Sequence, residues 1–273
     1  MTGQADAKRA VIDTSAAQPA RRYNYWLGGK DHFAADRKSG DELAAAYPAV
    51  RVTAIENRRF LKRATQFLTA ECGIRQFLDI GTGLPTADNT HEVAQRIAPE
   101  SRVVYVDNDP MVMVHARALL TSTPEGRTAY LEDDLRYPES ILASADLHET
   151  LDLNKPVGLM LVAVLHFVHG EGAAQRVVDK LLDALPSGSY IVASHSTYDL
   201  APAEMVEAWE KLVAAGKVDI WTRQRAEFTA LFDGLELVEP GVVPVSQWRD
   251  EDEPQPRPAL ADVAMWSAVA RKP

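Results

Sequence analysis

Between Gln76 and Ala193, short apolar runs bounded by turn residues alternate with longer segments whose apolar positions recur at helical spacing. The runs Phe77–Ile80, Val103–Val106, Thr128–Leu131, Gly158–Val162 and Tyr190–Ala193 are almost continuously hydrophobic, which suits strands buried on both faces. Ala87–Ala98, Met111–Thr121 and Gly172–Leu185 supply helical crossovers between them. This alternation predicts a parallel sheet with helices on both sides. Farther along, helices are expected near Ala203–Ala215 and Arg223–Phe232, and Leu235–Val238 and Ala264–Ala270 read as two more strands. The polar, proline-rich stretch Trp248–Pro258 lies between those strands, so the pair predicts a reversed final hairpin and seven strands in all.

The N-terminal part is patterned differently. Residues 1–20 are rich in Ala, Gln, Thr and Ser without apolar periodicity and are expected to form a disordered tail. From Arg21 to Arg37, aromatics, charges and a glycine pair alternate with neither helical nor strand period, as in a loop with something to hold. Asp41–Tyr47 and Val52–Thr69 read as helices, the second carrying Ile55, Phe60, Leu61, Ala64, Phe67 and Leu68 on one face. The resulting division is a tail over residues 1–20, a lid with helices over 21–72, and an α/β domain over 73–273.

Composition narrows the function more than the fold. A chain of 273 residues with 46% hydrophobic content can bury a full α/β core. Its net charge of −10 opposes a surface built to track nucleic-acid phosphates and favours small or protein acceptors. Cys72 is the single cysteine, so an internal disulfide and a multi-cysteine metal site are excluded. The histidines lack ligand spacing, and no metal is expected. Val157–Val168 is too short to span a bilayer and the N-terminus lacks a hydrophobic signal core, so a cytoplasmic location without a membrane partner is expected. Oligomeric state is left open.

Candidate chemistry concentrates at strand ends. In Phe77-Leu-Asp-Ile-Gly-Thr-Gly83, Gly81 and Gly83 allow a tight turn and close backbone approach to a ligand. The following apolar run ends at Asp107, where a carboxylate can accept from both hydroxyls of a ribose. A dinucleotide site requires a third small residue, but Gly81-Thr-Gly-Leu-Pro-Thr86 puts threonine there. NAD is therefore disfavoured, and a nucleoside with an amino-acid tail, S-adenosylmethionine, fits better.

With these features the chain resembles class I S-adenosylmethionine-dependent methyltransferases. Arg22–Phe33, Glu56–Phe60, Phe77–Thr86 and Val162–Val168 further resemble an actinobacterial methyltransferase family once catalogued as a domain of unknown function, over about residues 20–271. The resemblance implies a Rossmann-like, seven-stranded, mostly parallel α/β sheet with a reversed C-terminal hairpin, an N-terminal helical cap and S-adenosylmethionine as cofactor. It supplies no acceptor.

The resemblance also implies site residues. Asp79 falls near the cofactor's ammonium group, with capping of local backbone donors as its alternative role. Gly81, Thr82 and Gly83 line the methionine moiety, Asp107 binds ribose unless it caps the helix at Pro110, and Asn108 lies against adenine. Asp134 reads the adenine amine, with the Leu135 N–H on a ring nitrogen and Asp133 as the alternative acid. The backbone of Ala163 adjoins the cofactor. His166 and His195 follow the fourth and fifth strands and could orient or deprotonate an acceptor, or merely pack. Tyr23, Trp26, Gly28, Gly29, Lys30 and Asp31 are expected in a lid, with Arg58 binding a carboxylate of the cofactor or acceptor. The expected activity is methyl transfer to a small-molecule O or N atom, without a nucleic-acid partner; the alternative is a cofactor-binding sensor that transfers nothing.

Overall fold

The computed structural model describes residues 12–273; residues 1–11 of the expected tail lie outside the described residues. Five parallel strands form the body of the sheet: β1 (Gln76–Ile80), β2 (Arg102–Asp107), β3 (Arg127–Glu132), β4 (Gly158–Val162) and β5 (Tyr190–Ser196). Two short strands, β6 (Glu236–Leu237) and β7 (Val243–Pro244), both pair antiparallel to β8 (Met265–Arg271). β8 runs antiparallel to β5 over seven paired positions, from Tyr190 opposite Arg271 to Ser196 opposite Met265. The spatial order is β3-β2-β1-β4-β5-β8-β6, with β7 also on β8. The reversed C-terminal hairpin is present, but the sheet has eight strands where seven were expected. Its outer partner is interrupted at Glu239-Pro240-Gly241, where Pro240 has no N–H to donate and Gly241 turns with φ +81°.

Alternation along the buried strands separates two apolar layers. Leu78, Ile80, Val104 and Val106 face a cluster containing Ile141, Leu147, Val178 and Leu181. These come from α6 (Pro138–Ala143), α7 (Ala145–Thr150) and α8 (Ala173–Asp183). Phe77, Val103 and Tyr105 face the other side, against Phe60, Leu61, Ala64 and Leu68 of α3 (Val50–Ala70) and Ala94 of α4 (Thr90–Ile97). Asp79 shares the parity of Phe77, so its carboxylate projects toward the start of α4. Ile55, expected on the buried stripe of α3, is 43% exposed. Asn57 falls in step with Leu61, Ala64 and Leu68 and is buried instead.

The N-terminal segment is helical where a loop was expected. α1 (Pro19–Trp26) begins inside the presumed tail, with Pro19 in its first turn, and α2 (Ala34–Ala46) follows a turn at Leu27–His32. The buried residues of α1 are Arg21, Arg22, Asn24 and Trp26, three of them polar, so no apolar period marks this helix. α5 (Pro110–Leu119), α9 (Ala203–Ala214) and α10 (Arg225–Ala230) complete the helices. Parallel register brings the carboxyl ends of β1 through β4 to one edge of the sheet, and α1 and α3 lie over that edge. No helix is long and apolar enough to cross a membrane among the described residues.

Candidate cofactor and acceptor site

A cavity of about 630 Å³ opens over the carboxyl ends of β1, β2 and β4 and beneath α1. Such volumes, roughly 300–1,000 Å³, enclose metabolite-sized ligands. At the floor of one end, the N–H groups of Gly81 and Thr82 both donate to the Val106 carbonyl, at 2.8 and 3.3 Å, which folds the turn back over β2. Gly81 has φ +76°, and an added Cβ would stand 2.3 Å from Val164 Cγ2. Gly83 also has positive φ, +69°, but open space where its Cβ would be, so a ligand can approach the backbone there. Gly81→Ala should therefore destabilise the protein by more than 1 kcal/mol, through strain and displacement of Val164, whereas Gly83→Ala costs about 1 kcal/mol from φ alone. Thermal melts of the two variants would rank them, and equal losses would contradict this account of Gly81.

Asp107 stands at the centre of this end. Its Oδ2 accepts from the Gly83 N–H at 2.8 Å and its Oδ1 from the Asp109 N–H at 2.9 Å. A carboxylate has about four lone-pair sites, so roughly two remain for further donors. The helix cap that Asp107 might have supplied belongs to Asp109, which accepts from the Met111 N–H. Asp79 accepts from the Thr90 hydroxyl at 2.6 Å, while the nearby Thr82 hydroxyl makes no full hydrogen bond among the described residues. Burial pushes the pKa of both Asp79 and Asp107 up to about 6, and their hydrogen-bond donors offset only part of that rise.

Arg58 reaches over from α3. It donates to the Ala87 and Asp88 carbonyls, both at 3.2 Å, and its positive charge helps keep Asp79 ionised. A cation and an anion thus adjoin the glycine turn, as a zwitterionic amino-acid tail requires. At the far side of Asp107, Asp134 already accepts from Arg136 and from Asn108 Nδ2, and Arg136 holds its carboxyl down to about 2. Asp133 accepts from the Asp134 N–H and the Ser140 hydroxyl, which leaves acceptor sites free. The Leu135 N–H finds no acceptor among the described residues.

The backbone beside β4 is strained. Ala163 has φ +56°, unusual for a residue with a Cβ, and is tied down by donation of its N–H to Ser194 Oγ at 2.9 Å. Ser194 donates to Asn57 Oδ1 at 2.6 Å, Asn57 Nδ2 donates to the Tyr23 hydroxyl, and Tyr23 donates to the Ala54 carbonyl. This chain links the sheet, α3 and α1 at the cavity wall. Ser194 and Asn57 were not among the sequence candidates, although a polar residue in the apolar stripe of α3 was a readable signal.

The two histidines separate. His166 lines the cavity, buried, with its Nδ1 3.5 Å from the Ser196 hydroxyl. Burial, reinforced by the charges of Arg223 and Arg22, pushes its pKa down to about 3. His195 does not reach the cavity: it is fully buried, its Nδ1 faces the Ser196 carbonyl at 2.8 Å, and Arg223 donates to its Nε2. His195 thus packs on Arg223 and does not face the cavity where an acceptor was expected to meet it. The lid residues also divide. Tyr23, Trp26 and Arg58 line the cavity, whereas Gly28, Gly29 and Asp31 line a separate, more open groove, and Lys30 lines neither. The reason is local: the Asn24 side chain accepts from the Asp31 N–H and fills the space beside Gly29, folding this turn back on α1. The cover over the cavity is therefore α1 itself, through Tyr23 and Trp26. Among the described residues no cluster of three or more His, Cys, Asp or Glu could hold a metal.

Known proteins share the sequence pattern and fold of this chain. A family model described as S-adenosyl methyltransferase matches residues 5–273. A DUF574 family protein from Streptomyces avermitilis is 48% identical over 96% of this chain and 100% of its own, with a TM-score of 0.89. A candidate methyltransferase from Thermobifida fusca is 38% identical over 98% of this chain and 99% of its own, with a TM-score of 0.86. No curated protein matches. The two-glycine turn, the open backbone at Gly83 and the paired Asp79 and Arg58 suit the cofactor this family implies. The chain belongs to the S-adenosyl methyltransferase family, and its cofactor is S-adenosylmethionine.

Proposed function

We propose that this chain transfers the methyl group of S-adenosylmethionine to an O or N atom of a small molecule held in the same cavity. The observation that carries the reading is continuity: the Asp79, Arg58 and Asp107 end runs into a second, largely aromatic chamber under α1 and α9. In this reading Asp79 takes the ammonium group and Arg58 the carboxylate of the methionine moiety, while Asp107 accepts from the ribose hydroxyls. The adenine amine is assigned to the Asp133–Asp134 pair. Lone-pair accounting favours Asp133, because Arg136 and Asn108 already occupy Asp134. The Leu135 N–H remains available to a ring nitrogen.

The cofactor supplies an activated methyl group, so the protein's tasks are placement and exclusion of water. Ala163, held in its strained turn by Ser194, fixes part of the cavity wall. Tyr23 and Trp26 close the roof, which leaves no room for a duplex, and the net charge of −10 repels phosphates at long range. Incubation with labelled cofactor and separate pools of metabolites, protein, RNA and DNA tests the reading. Label in metabolites is expected; label confined to nucleic acid or protein overturns it. Tight cofactor binding without transfer to any pool would favour a sensor.

A pH dependence follows from the two buried acids. Asp79 and Asp107 rise from about 3.8 to about 6 on folding. In the ligand-free fold they favour the protonated form, so their stabilising contribution is present at low pH and lost as pH rises through 6. The ligand instead requires them ionised. S-adenosylhomocysteine affinity should therefore be constant above pH 7 and weaken at least tenfold between pH 7 and pH 5, with proton release on binding near pH 6. Calorimetry in buffers of differing ionisation enthalpy would show the proton; its absence would remove these acids from the binding site.

A further inference from the structure

The acceptor chamber has a chemistry of its own. Its walls are Trp26, Phe167, Tyr198, Met205, Trp209 and Ile220, a set rich in flat and polarizable side chains. Into this chamber comes the buried guanidinium of Arg22, whose side chain is 5% exposed. Among the described residues its carboxylate partner is one oxygen of Asp219, at 2.6 Å, on a side chain 40% exposed, and its Nη1 reaches the Ser39 hydroxyl at 3.5 Å. Its Nε has no acceptor among the described residues, and neither does the Trp209 indole N–H in the wall. Buried donors left unmatched cost about 1–3 kcal/mol each, so the chamber is short of acceptor oxygens.

A second guanidinium stands behind the first. Arg223 is buried against the Leu165 and Val168 carbonyls and His195 Nε2, all neutral. Glu227, the acid that acts on it, is exposed, as is Glu210 near Tyr198. His169 faces the Asp219 carbonyl through Nε2. The interior around His166 therefore holds two guanidinium groups against one half-exposed carboxylate. Burial, with the charges of Arg223 and Arg22 beside it, keeps His166 unprotonated, so that it accepts or donates a hydrogen bond but is too weak a base to draw a proton from an alcohol. Those two charges, unlike burial itself, favour an anion in the same place.

We propose that the acceptor is an aromatic, metabolite-sized molecule whose methylated oxygen arrives already ionised, a carboxylate or an acidic phenol held between Arg22 and His166 against the Trp26–Trp209 wall. This rests on the methyltransferase reading and narrows its O-or-N choice to oxygen. The acceptor's proton is left in solvent before entry. The ionised oxygen's lone pair forms the bond to the methyl carbon as the methyl–sulfur bond breaks, and the bonding pair of that broken bond stays on sulfur. The products are S-adenosylhomocysteine and a neutral methyl ester or ether, with no proton for the protein to receive. Loss of the acceptor's charge also loosens its hold on Arg22, which favours release.

The test is binding, measured calorimetrically with S-adenosylhomocysteine present. The probes are 2-naphthoate and 4-nitro-1-naphtholate as the two kinds of ionised oxygen, 2-naphthamide as the neutral shape and 2-naphthylmethylammonium as the cation. At least one anion should bind tenfold or more tightly than the amide, and which anion wins identifies the oxygen. That preference should shrink below threefold in Arg22→Gln and recover in part in Arg22→Lys. Asp219→Asn, which removes the carboxylate charge from Arg22 while its amide oxygen can still accept from Nη2, should tighten the anions and leave the amide unchanged. Equal affinities, tighter binding of the cation, no probe bound at millimolar concentration, or anion affinity unaltered in Asp219→Asn would each overturn the proposal. Failure of S-adenosylhomocysteine itself to bind would instead overturn the cofactor assignment on which it rests.

Discussion

Replacing Asp107 by alanine should weaken S-adenosylhomocysteine binding at least tenfold while changing thermal stability far less. The side chain is 7% exposed and keeps lone pairs free toward the cavity after accepting from Gly83 and Asp109. Hydrogen bonds from two ribose hydroxyls to a charged acceptor are worth about 1.5–3 kcal/mol each at most, and 1.4 kcal/mol is a factor of ten. Two effects on stability oppose one another. Removing a buried carboxylate relieves the desolvation that raises its pKa to about 6, but it orphans two backbone N–H groups. Asp107→Asn separates geometry from charge: the amide can face one backbone donor with oxygen but must turn its NH2 toward the other. It should therefore lose affinity nearly as severely. Calorimetric titration decides the matter, and an Asp107→Ala protein with undiminished affinity would remove this residue from the ribose site.

Asp107 could be found from sequence because two independent patterns meet on it, an apolar buried strand and the glycine turn of its neighbour. The parallel strands were readable for the same reason: burial on both faces leaves a continuous hydrophobic run whose ends are the ends of the strand. α1 was not readable, because its buried face is written in arginine and asparagine. Those side chains are tolerable inside only through partners remote in sequence, Asp109 for Arg21 and Asp219 for Arg22. The same limit governed the histidines. His166 follows β4 whereas His195 lies within β5, and only tertiary packing shows that His195 turns to Arg223 while His166 faces the cavity. Which of Asp133 and Asp134 has spare lone pairs likewise depends on where the Arg136 and Asn108 side chains lie. Strand ends are local facts of sequence; hydrogen-bond capacity is a tertiary one.

The second large effect is expected at Arg21, a residue that touches neither chamber of the cavity. Its Nε and Nη2 donate to the two oxygens of Asp109, each at 2.8 Å, and the two side chains are 2% and 3% exposed. Asp109 in turn caps α5 through the Met111 N–H and donates its own N–H to Asp107. One bidentate pair therefore fastens α1, the roof of the cavity, to the loop that positions Asp107, the acid proposed to bind ribose. Removing one partner of a buried pair strands the other charge, at a cost of about 3–5 kcal/mol, whereas removing both costs much less. Arg21→Met should lower the melting temperature by roughly 6–20 °C, taking about 2–4 °C per kcal/mol near this chain length. The double variant Arg21→Met/Asp109→Asn, which keeps the α5 cap without the charge, should recover more than half of that loss. Cofactor affinity should follow a different course, remaining weakened in both variants because α1 is no longer clamped over Asp107. A double variant no more stable than Arg21→Met alone would show that the pair acts through shape and packing and that the stranded charge on Asp109 is not the source of the loss.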